Sequence, residues 1–534
     1  SGSQNIIISQ GSGANITIPA GQTKAIYSNG AGSGAAMVDA FATLNVVDLL
    51  VDDDLTVTDD VAIGGALAVT GDYSSTTSGT SNLRLGVNAG NSIASGGNQN
   101  VLLGDSAGAA VNTGDGNVAI GFEAGNDITT GSYNTIMGWK AGDKISTGGS
   151  NTAIGDGAIG ADTLGQKSVA VGSNALNQQN FTTATDAYNV AMGYNAGQGI
   201  TTGTNNTLIG GLAGDALTTG SYNVAVGFEA LSTEDGHGNN VAVGNRALKT
   251  LNAGAAGLNV AVGDDAGTAL TTGLYNTLVG ALAGTALTDA DTNVAFGNAA
   301  IRADTLGSKT TAIGYQALTA QNFTTATDSN NTAVGYNAGL SVTTGTYNTF
   351  IGSEAGEANT TGVNNTAVGA LALESNTVGT NNVAVGQASL FENILGSKSI
   401  GVGRGTLQNQ NYTTATDAFN VAVGHEAGND ITTATLNTLV GGLSGDAFTE
   451  GGGNTALGYK TLSADTLGKL STAVGQQALS LQNFTTSVQA YNTAVGYHAG
   501  RTITTGVQNT IVGSLAGDAL TDADYNVAIG MGTL

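Results

Sequence analysis

The chain contains no cysteine and a single proline among 534 residues. Without cysteine, neither disulfides nor thiolate metal sites can hold the fold, and the absence neither requires nor excludes an extracellular setting. Charged residues are only 10% of the total, and 14 basic against 39 acidic residues leave a net charge of −25. That balance argues against a nucleic-acid partner, because a phosphate backbone demands a basic face. Solubility and mutual repulsion are the expected uses of such a charge. No run of about 18 apolar residues occurs, so no membrane insertion is expected. Ser1-Gly2-Ser3-Gln4 does not read as the start of a signal peptide.

Glycine is plentiful, at 84 residues, and hydrophobic residues make up 40%. Disorder would need more charge and less aliphatic content, and collagen would need proline and a strict glycine period. The aliphatic residues are mostly Ala, Val, Ile and Leu, which suits a thin core of small side chains.

Those residues are arranged in a count. Asn117-Val118-Ala119-Ile120-Gly121 returns at Asn134–Gly138, Asn151–Gly155, Asn206–Gly210, Asn223–Gly227 and Asn331–Gly335. Successive anchors differ by 134 − 117 = 17, 151 − 134 = 17 and 223 − 206 = 17 residues. A fixed short period is the mark of a solenoid or roll, and 26 such coils run from Asn82 to the last residues. Taking the anchor as offset 0, offsets 1 to 3 are apolar or Thr, offset 4 is Gly, offset 7 is usually Ala, offset 11 is often Ile or Leu, and Thr-Thr-Gly often closes the coil. This pattern predicts a first strand of about five residues and two strands with two turns per coil. The repeat anchors Asn117, Gly121, Asn134, Gly138, Asn151, Gly155, Asn206, Gly210, Asn223, Gly227, Asn331 and Gly335 have structural roles in this reading. The glycines let neighbouring backbones approach, and the stacked amides form a ladder along the axis.

Four coils break the rule together. At Ser168, Thr310, Ser399 and Ser471 the anchor Asn is lost, and the next anchor follows 21 residues later, as in 189 − 168 = 21. Each break carries a related insert, Asn180-Phe-Thr-Thr-Ala-Thr-Asp186 being the first. Its aromatic residue, Phe181, Phe323, Tyr412 or Phe484, is expected to tuck back onto the roll or a neighbouring chain, with surface binding of carbohydrate as the alternative.

Before the array, residues 1–45 read as a β-rich attachment region, with strands at Asn5–Ser9, Asn15–Ile18 and Ala25–Tyr27 and a short helix or linker over Ala35 to Leu44. Residues 46–81 read as a neck of brief alternating segments between Asp clusters, too short to bury themselves and expected to intertwine as three chains. Residues 82–534 form the repeat shaft.

Candidate chemistry is sparse. His237, His425 and His498 are too far apart in sequence for one intrachain metal site. A metal or anion site made by three copies of one histidine on a trimer axis is the alternative to the expected solvated or stacked imidazole. Asp143, Asp215, Asp446 and Asp518 share offset 9, and a solvated turn outweighs calcium binding there. Tyr133, Tyr188, Tyr222, Tyr275, Tyr347, Phe419, Tyr491 and Tyr525 each precede an anchor, and Trp139 shares offset 5 with Phe122. No catalytic constellation emerges, so no enzyme activity and no cofactor are expected.

The Asn-Thr-Ala-Val-Gly-Tyr-Asn-Ala-Gly stretch at Asn331–Gly339 resembles the repeats in the heads of YadA-type trimeric autotransporter adhesins. It is still more similar to the longer repeats of bacteriophage tail fibres, and Ile16–Tyr27 is similar to segments upstream in such fibres. The adhesin-head resemblance implies a left-handed parallel β-roll assembled as a trimer. The phage resemblance implies a virion tail fibre, joined through its N-terminal region to other tail proteins and serving host attachment, with a host glycan or protein as receptor. It also implies that the chain, ending inside a coil at Leu534, is followed by something more, often a self-cleaving chaperone. A bacterial surface adhesin and an ice- or mineral-binding solenoid are the alternatives.

The residues themselves also point to partners. Offsets 1 and 3 face opposite to offset 2, and both sets are apolar in coils such as Val241-Ala242-Val243. One set can fill the roll and the other an intersubunit core. The expected fold is therefore all-β: a parallel β-solenoid of about 17-residue coils assembled as an elongated homotrimer.

Overall fold

The computed structural model describes residues 4–9, 12, 14–20, 25–28, 37–39 and 77–534. The chain divides into two units, residues 1–72 and 73–534. In the first, Ile6–Ile8 pairs antiparallel with Ile16–Ile18, and Ile26–Ser28 pairs antiparallel with Met37–Asp39. The Asn5 side chain accepts the backbone N–H of Ala20 at 3.1 Å, tying the ends of the first pair. Met37–Asp39 is thus a strand where a helix or linker was expected, because the β-prone Met-Val finds a partner in Ile26–Ser28. The expected neck lies, up to residue 76, outside the described residues.

The second unit is a single parallel ladder of 26 three-residue strands, from Leu83–Leu85 to Val527–Ile529. Each strand pairs in register with its equivalent one coil away: Val118 opposite Thr135, Ala119 opposite Ile136, Ile120 opposite Met137. Among the described residues there is no helix. The expected second strand is absent from ordinary coils, and the first is three residues long rather than about five. Both ends of the strand explain its length. The residue before each anchor sits in left-handed backbone, as at Tyr133 with φ 60°, and the glycine at offset 4 has φ between 122° and 147° in every coil. Neither conformation continues a strand.

The remaining turns still bond coil to coil. Gly125 N–H donates to the Ala141 carbonyl at 2.9 Å, Thr129 N–H to Ser146 at 2.8 Å, and Tyr133 N–H back to Asp115 at 2.8 Å. Turn amides therefore do the work expected of a second strand. A true second ladder appears only at the four inserts, as two-residue parallel pairs such as Gly165–Gln166 with Thr185–Asp186.

The core is a narrow column. Offsets 2 and 7 are buried and mostly Ala, as with Ala119 and Ala124. The larger side chain comes from one of two places. Coils with Gly at offset 8 carry an apolar residue at offset 11 in all but one case, as in Gly125 with Ile128, Gly214 with Leu217 and Gly445 with Phe448. Coils with Leu or Ile at offset 8 usually carry a polar residue at offset 11: Ile159 with Asp162, Leu176 with Gln179, Leu373 with Asn376. The exchange conserves volume in a close-packed interior. Where Gly356 and Asn359 leave both positions without a large apolar group, Phe350 at offset 2 fills the space.

Candidate functional surface

Three columns define what the solenoid can present: the buried amides, the clasps at the inserts, and the outward face of the strands. The anchor Asn residues between the first and last coils, Asn117, Asn134, Asn151, Asn206, Asn223 and Asn331 among them, are at most 1% exposed. Asn134 receives and gives in two directions. Its backbone N–H and its Nδ2 donate to Asn117 Oδ1 at 3.0 and 3.1 Å, while Nδ2 also donates to the Gly148 carbonyl at 3.0 Å within its own coil. Its Oδ1 accepts the backbone N–H of Asn151 at 3.0 Å. The amide is a rung between coils and also a clasp that closes each coil, which buried polar groups require.

At the inserts this clasp changes hands. Ser168 still donates its N–H to Asn151 Oδ1 at 3.0 Å, but its short side chain leaves a space filled by Gln179. Gln179 Oε1 accepts Asn189 Nδ2 at 2.9 Å, and its Nε2 donates to Asp162 Oδ2 at 2.6 Å. Asp162 Oδ1 in turn accepts the backbone N–H groups of Gly165 and Phe181 at 3.0 and 3.2 Å. The same set recurs as Thr310, Gln321 and Asp304, as Ser399, Gln410 and Asn393, and as Ser471, Gln482 and Asp465. This explains why insert and lost anchor travel together. The signal was present in the sequence, since a Gln immediately precedes each Asn-(Phe/Tyr)-Thr-Thr insert.

Phe181, Phe323, Tyr412 and Phe484 are 4–5% exposed. The insert rings therefore point into the roll, and Phe181, Phe323 and Tyr412 lie over Gly165, Gly307 and Gly396. Tyr412 donates its hydroxyl to the Ala434 carbonyl at 2.6 Å, and burial pushes its phenol well above the usual range. What the inserts offer to solvent is threonine, Thr182 and Thr183 in the first.

The outward face is the extensive surface. Offsets 1, 3 and 5, with the residue before each anchor, alternate against the buried Asn, offset 2 and Gly. Along it stand exposed Tyr133, Tyr222 and Tyr347, then Met137, Met192 and Ile313, then Trp139, Tyr194 and Phe228. Rings in adjacent coils stack: Phe122 with Trp139 at 6.4 Å and Tyr315 with Tyr336 at 5.6 Å between centroids. Lys140 lies 4.9 Å from the Trp139 ring and Lys167 5.2 Å from that of Tyr188.

The structure does not bring the three histidines together. His425 is exposed beside Arg404 and Glu426, His498 stacks on Tyr497 at 3.7 Å, and His237 contacts Glu234. Burial, aided by Arg501, holds the His498 imidazole below its ordinary value. Asp143, Asp215, Asp446 and Asp518 belong to separate coils and make no stacked carboxylate row. Burial pushes Asp446 up to about 6, with Asp430 and Glu426 adding to the effect, and burial likewise raises Asp143 and Asp215. Comparison with protein-family models, curated proteins and solved structures found no match to the chain.

Proposed function

We propose that the chain is the shaft of a virion fibre of the bacteriophage tail-fibre kind, a passive rigid homotrimer that holds a receptor-binding tip away from the particle for host attachment. The observation that carries this reading is the outward strand face. Each roll completes its own core, yet offset 3 is apolar in every coil and stays partly or fully exposed along the ladder, flanked by an aliphatic or Thr side chain at offset 1 and, in some coils, by an exposed ring at offset 5. An exposed apolar row that runs the length of the ladder marks an association surface. Three copies sharing it would cover it, while the net charge of −25 per chain keeps separate trimers apart.

Stacking at about 4.8 Å per coil gives the shaft a length of about 120 Å. The tail-fibre-like repeat at Asn331–Gly339 supports a virion location, with the N-terminal unit joining other tail proteins. Sedimentation equilibrium of the purified chain, with electron microscopy of the same sample, tests the reading. A trimeric rod is the expected result; a stable monomer at micromolar concentration would overturn it.

A further inference from the structure

One coil departs from the rest at a single corner. Where regular coils read Ile128-Thr-Thr-Gly131 or Leu217-Thr-Thr-Gly220 at offsets 11 to 14, the coil anchored at Asn223 reads Glu234-Asp235-Gly236-His237. No other coil has a histidine at this corner. Leu231 at offset 8 fills the core here, so packing does not call for a large group at offset 11. The Glu234 carboxylate is fully buried, and its Oε1 lies 3.2 Å from His237 Nδ1. Oε1 also accepts the His237 backbone N–H at 3.1 Å, and Oε2 accepts that of Ala253 at 3.2 Å. Asp235 is exposed, and one ligand atom from each of the three side chains lies within 4.8 Å of the others.

Capping backbone amides accounts for Glu234 alone, as it does for Asp162 in its own coil. It does not account for an imidazole where most coils have glycine, or for a carboxylate where they have threonine, in the same turn. The next coil is also lengthened, 259 − 240 = 19 residues, and a side chain at its Gly254 would meet open space. The corner is therefore both chemically distinct and accessible.

We propose that Glu234, Asp235 and His237 bind one divalent transition-metal ion of the zinc class. One imidazole nitrogen with two carboxylate oxygens suits zinc and its neighbours, whereas calcium takes sets made wholly of oxygen. The Glu234–His237 spacing is that of two ligands each about 2.1 Å from a shared ion. A side-chain rotation brings Asp235 to it, and water completes the shell from the open side. Bound only by the folded chain, the ion staples this turn.

The test is calorimetric titration of the full chain with zinc chloride, together with its thermal melting, in metal-free buffer. His237→Gly and Asp235→Thr restore residues that other coils carry at these offsets, so both retain the fold, which circular dichroism verifies. One zinc ion per chain and a raised Tm are expected for the parent chain. Affinity should fall at least tenfold in His237→Gly and less in Asp235→Thr, and calcium should have no effect. Absence of saturable zinc binding, or unchanged affinity and stoichiometry in His237→Gly, would overturn the proposal.

Discussion

A Cβ placed on Gly214 would come 2.8 Å from Cδ1 of Leu217, so in a 17-residue coil these two positions do not both carry a large apolar side chain; the 19-residue coil, with Leu248 and Leu251, is the one that does. Coils that place Leu at offset 8 accept left-handed backbone there, as Leu231 does at φ 54°, at a cost of about 1 kcal/mol. Gly214→Leu should therefore destabilise its coil by about 1–3 kcal/mol through overpacking. Leu217→Asn should cost about 2–5 kcal/mol. The double variant reproduces the Leu373 and Asn376 arrangement and should lose about 1–3 kcal/mol less than the sum. Hydrogen exchange of the amides in this coil is the appropriate measure, because a long repeat array does not unfold in two states.

Two adjacent glycines separate conformational need from mere smallness. Gly210 has φ 135°, and a Cβ on it would lie 2.4 Å from the Gly227 carbonyl oxygen; the nearest atom to a Cβ on Gly211 is a ring carbon of Phe228 at 3.6 Å. Gly210→Ala should cost about 3 kcal/mol or more from strain and collision. Gly211→Ala should be neutral within about 0.5 kcal/mol. Equal exchange protection in the two variants would refute this account of the offset-4 column.

Gln482 Nε2 donates to Asp465 Oδ2 at 2.6 Å, and burial raises Asp465 above the ordinary aspartate value. Gln482→Leu leaves that carboxylate without its side-chain donor and should cost on the order of 3 kcal/mol at neutral pH. A folded-state pKa raised above the unfolded one means stability greatest below the unfolded value and lost as pH rises through the folded value. The deficit should thus shrink as pH falls from neutral toward the usual aspartate range. A deficit that grows on acidification would contradict the clasp.

Asp446, raised to about 6 from 3.8, acts in the same direction within a defined window. Its coil should gain stability as pH drops from 6 to 4. Asp446→Asn should remove that dependence and stabilise the coil at neutral pH by about 1 kcal/mol, a figure already reduced for solvent screening of a half-exposed group. Exchange rates recorded at several pH values in both proteins provide the comparison.

If the outward face is where copies meet, charge there should separate them. Val262 stands at offset 3 on that face, and Thr130 lies at an exposed corner. Val262→Lys should weaken trimer formation at least tenfold in sedimentation equilibrium and leave the roll's circular dichroism unchanged. Thr130→Lys should alter neither.

Much of the fold was legible because equivalent residues mark it. Gly121, Gly138 and Gly155 recur since each must meet the next at backbone distance. Asn117, Asn134 and Asn151 recur since each amide completes its neighbour's bonds. The inserts were legible as events and not as mechanisms. Gln179 and Asp162 lie 17 residues apart in unlike surroundings, and their partnership depends on the space that Ser168 vacates. Glu234 and His237 were hidden differently: three histidines scattered along the chain gave no metal spacing, and the ligand set arises from neighbours within one turn.

By itself, the amino-acid order determined the coil length, the parallel register and the two columns of Asn and Gly, since all of these follow from identical positions stacking on one another. Only the tertiary structure decided that one strand suffices per coil, that offsets 8 and 11 share a single core volume, and that the insert rings turn inward. Those outcomes depend on unlike positions meeting across the lumen of the roll, where space taken by one side chain is denied to another.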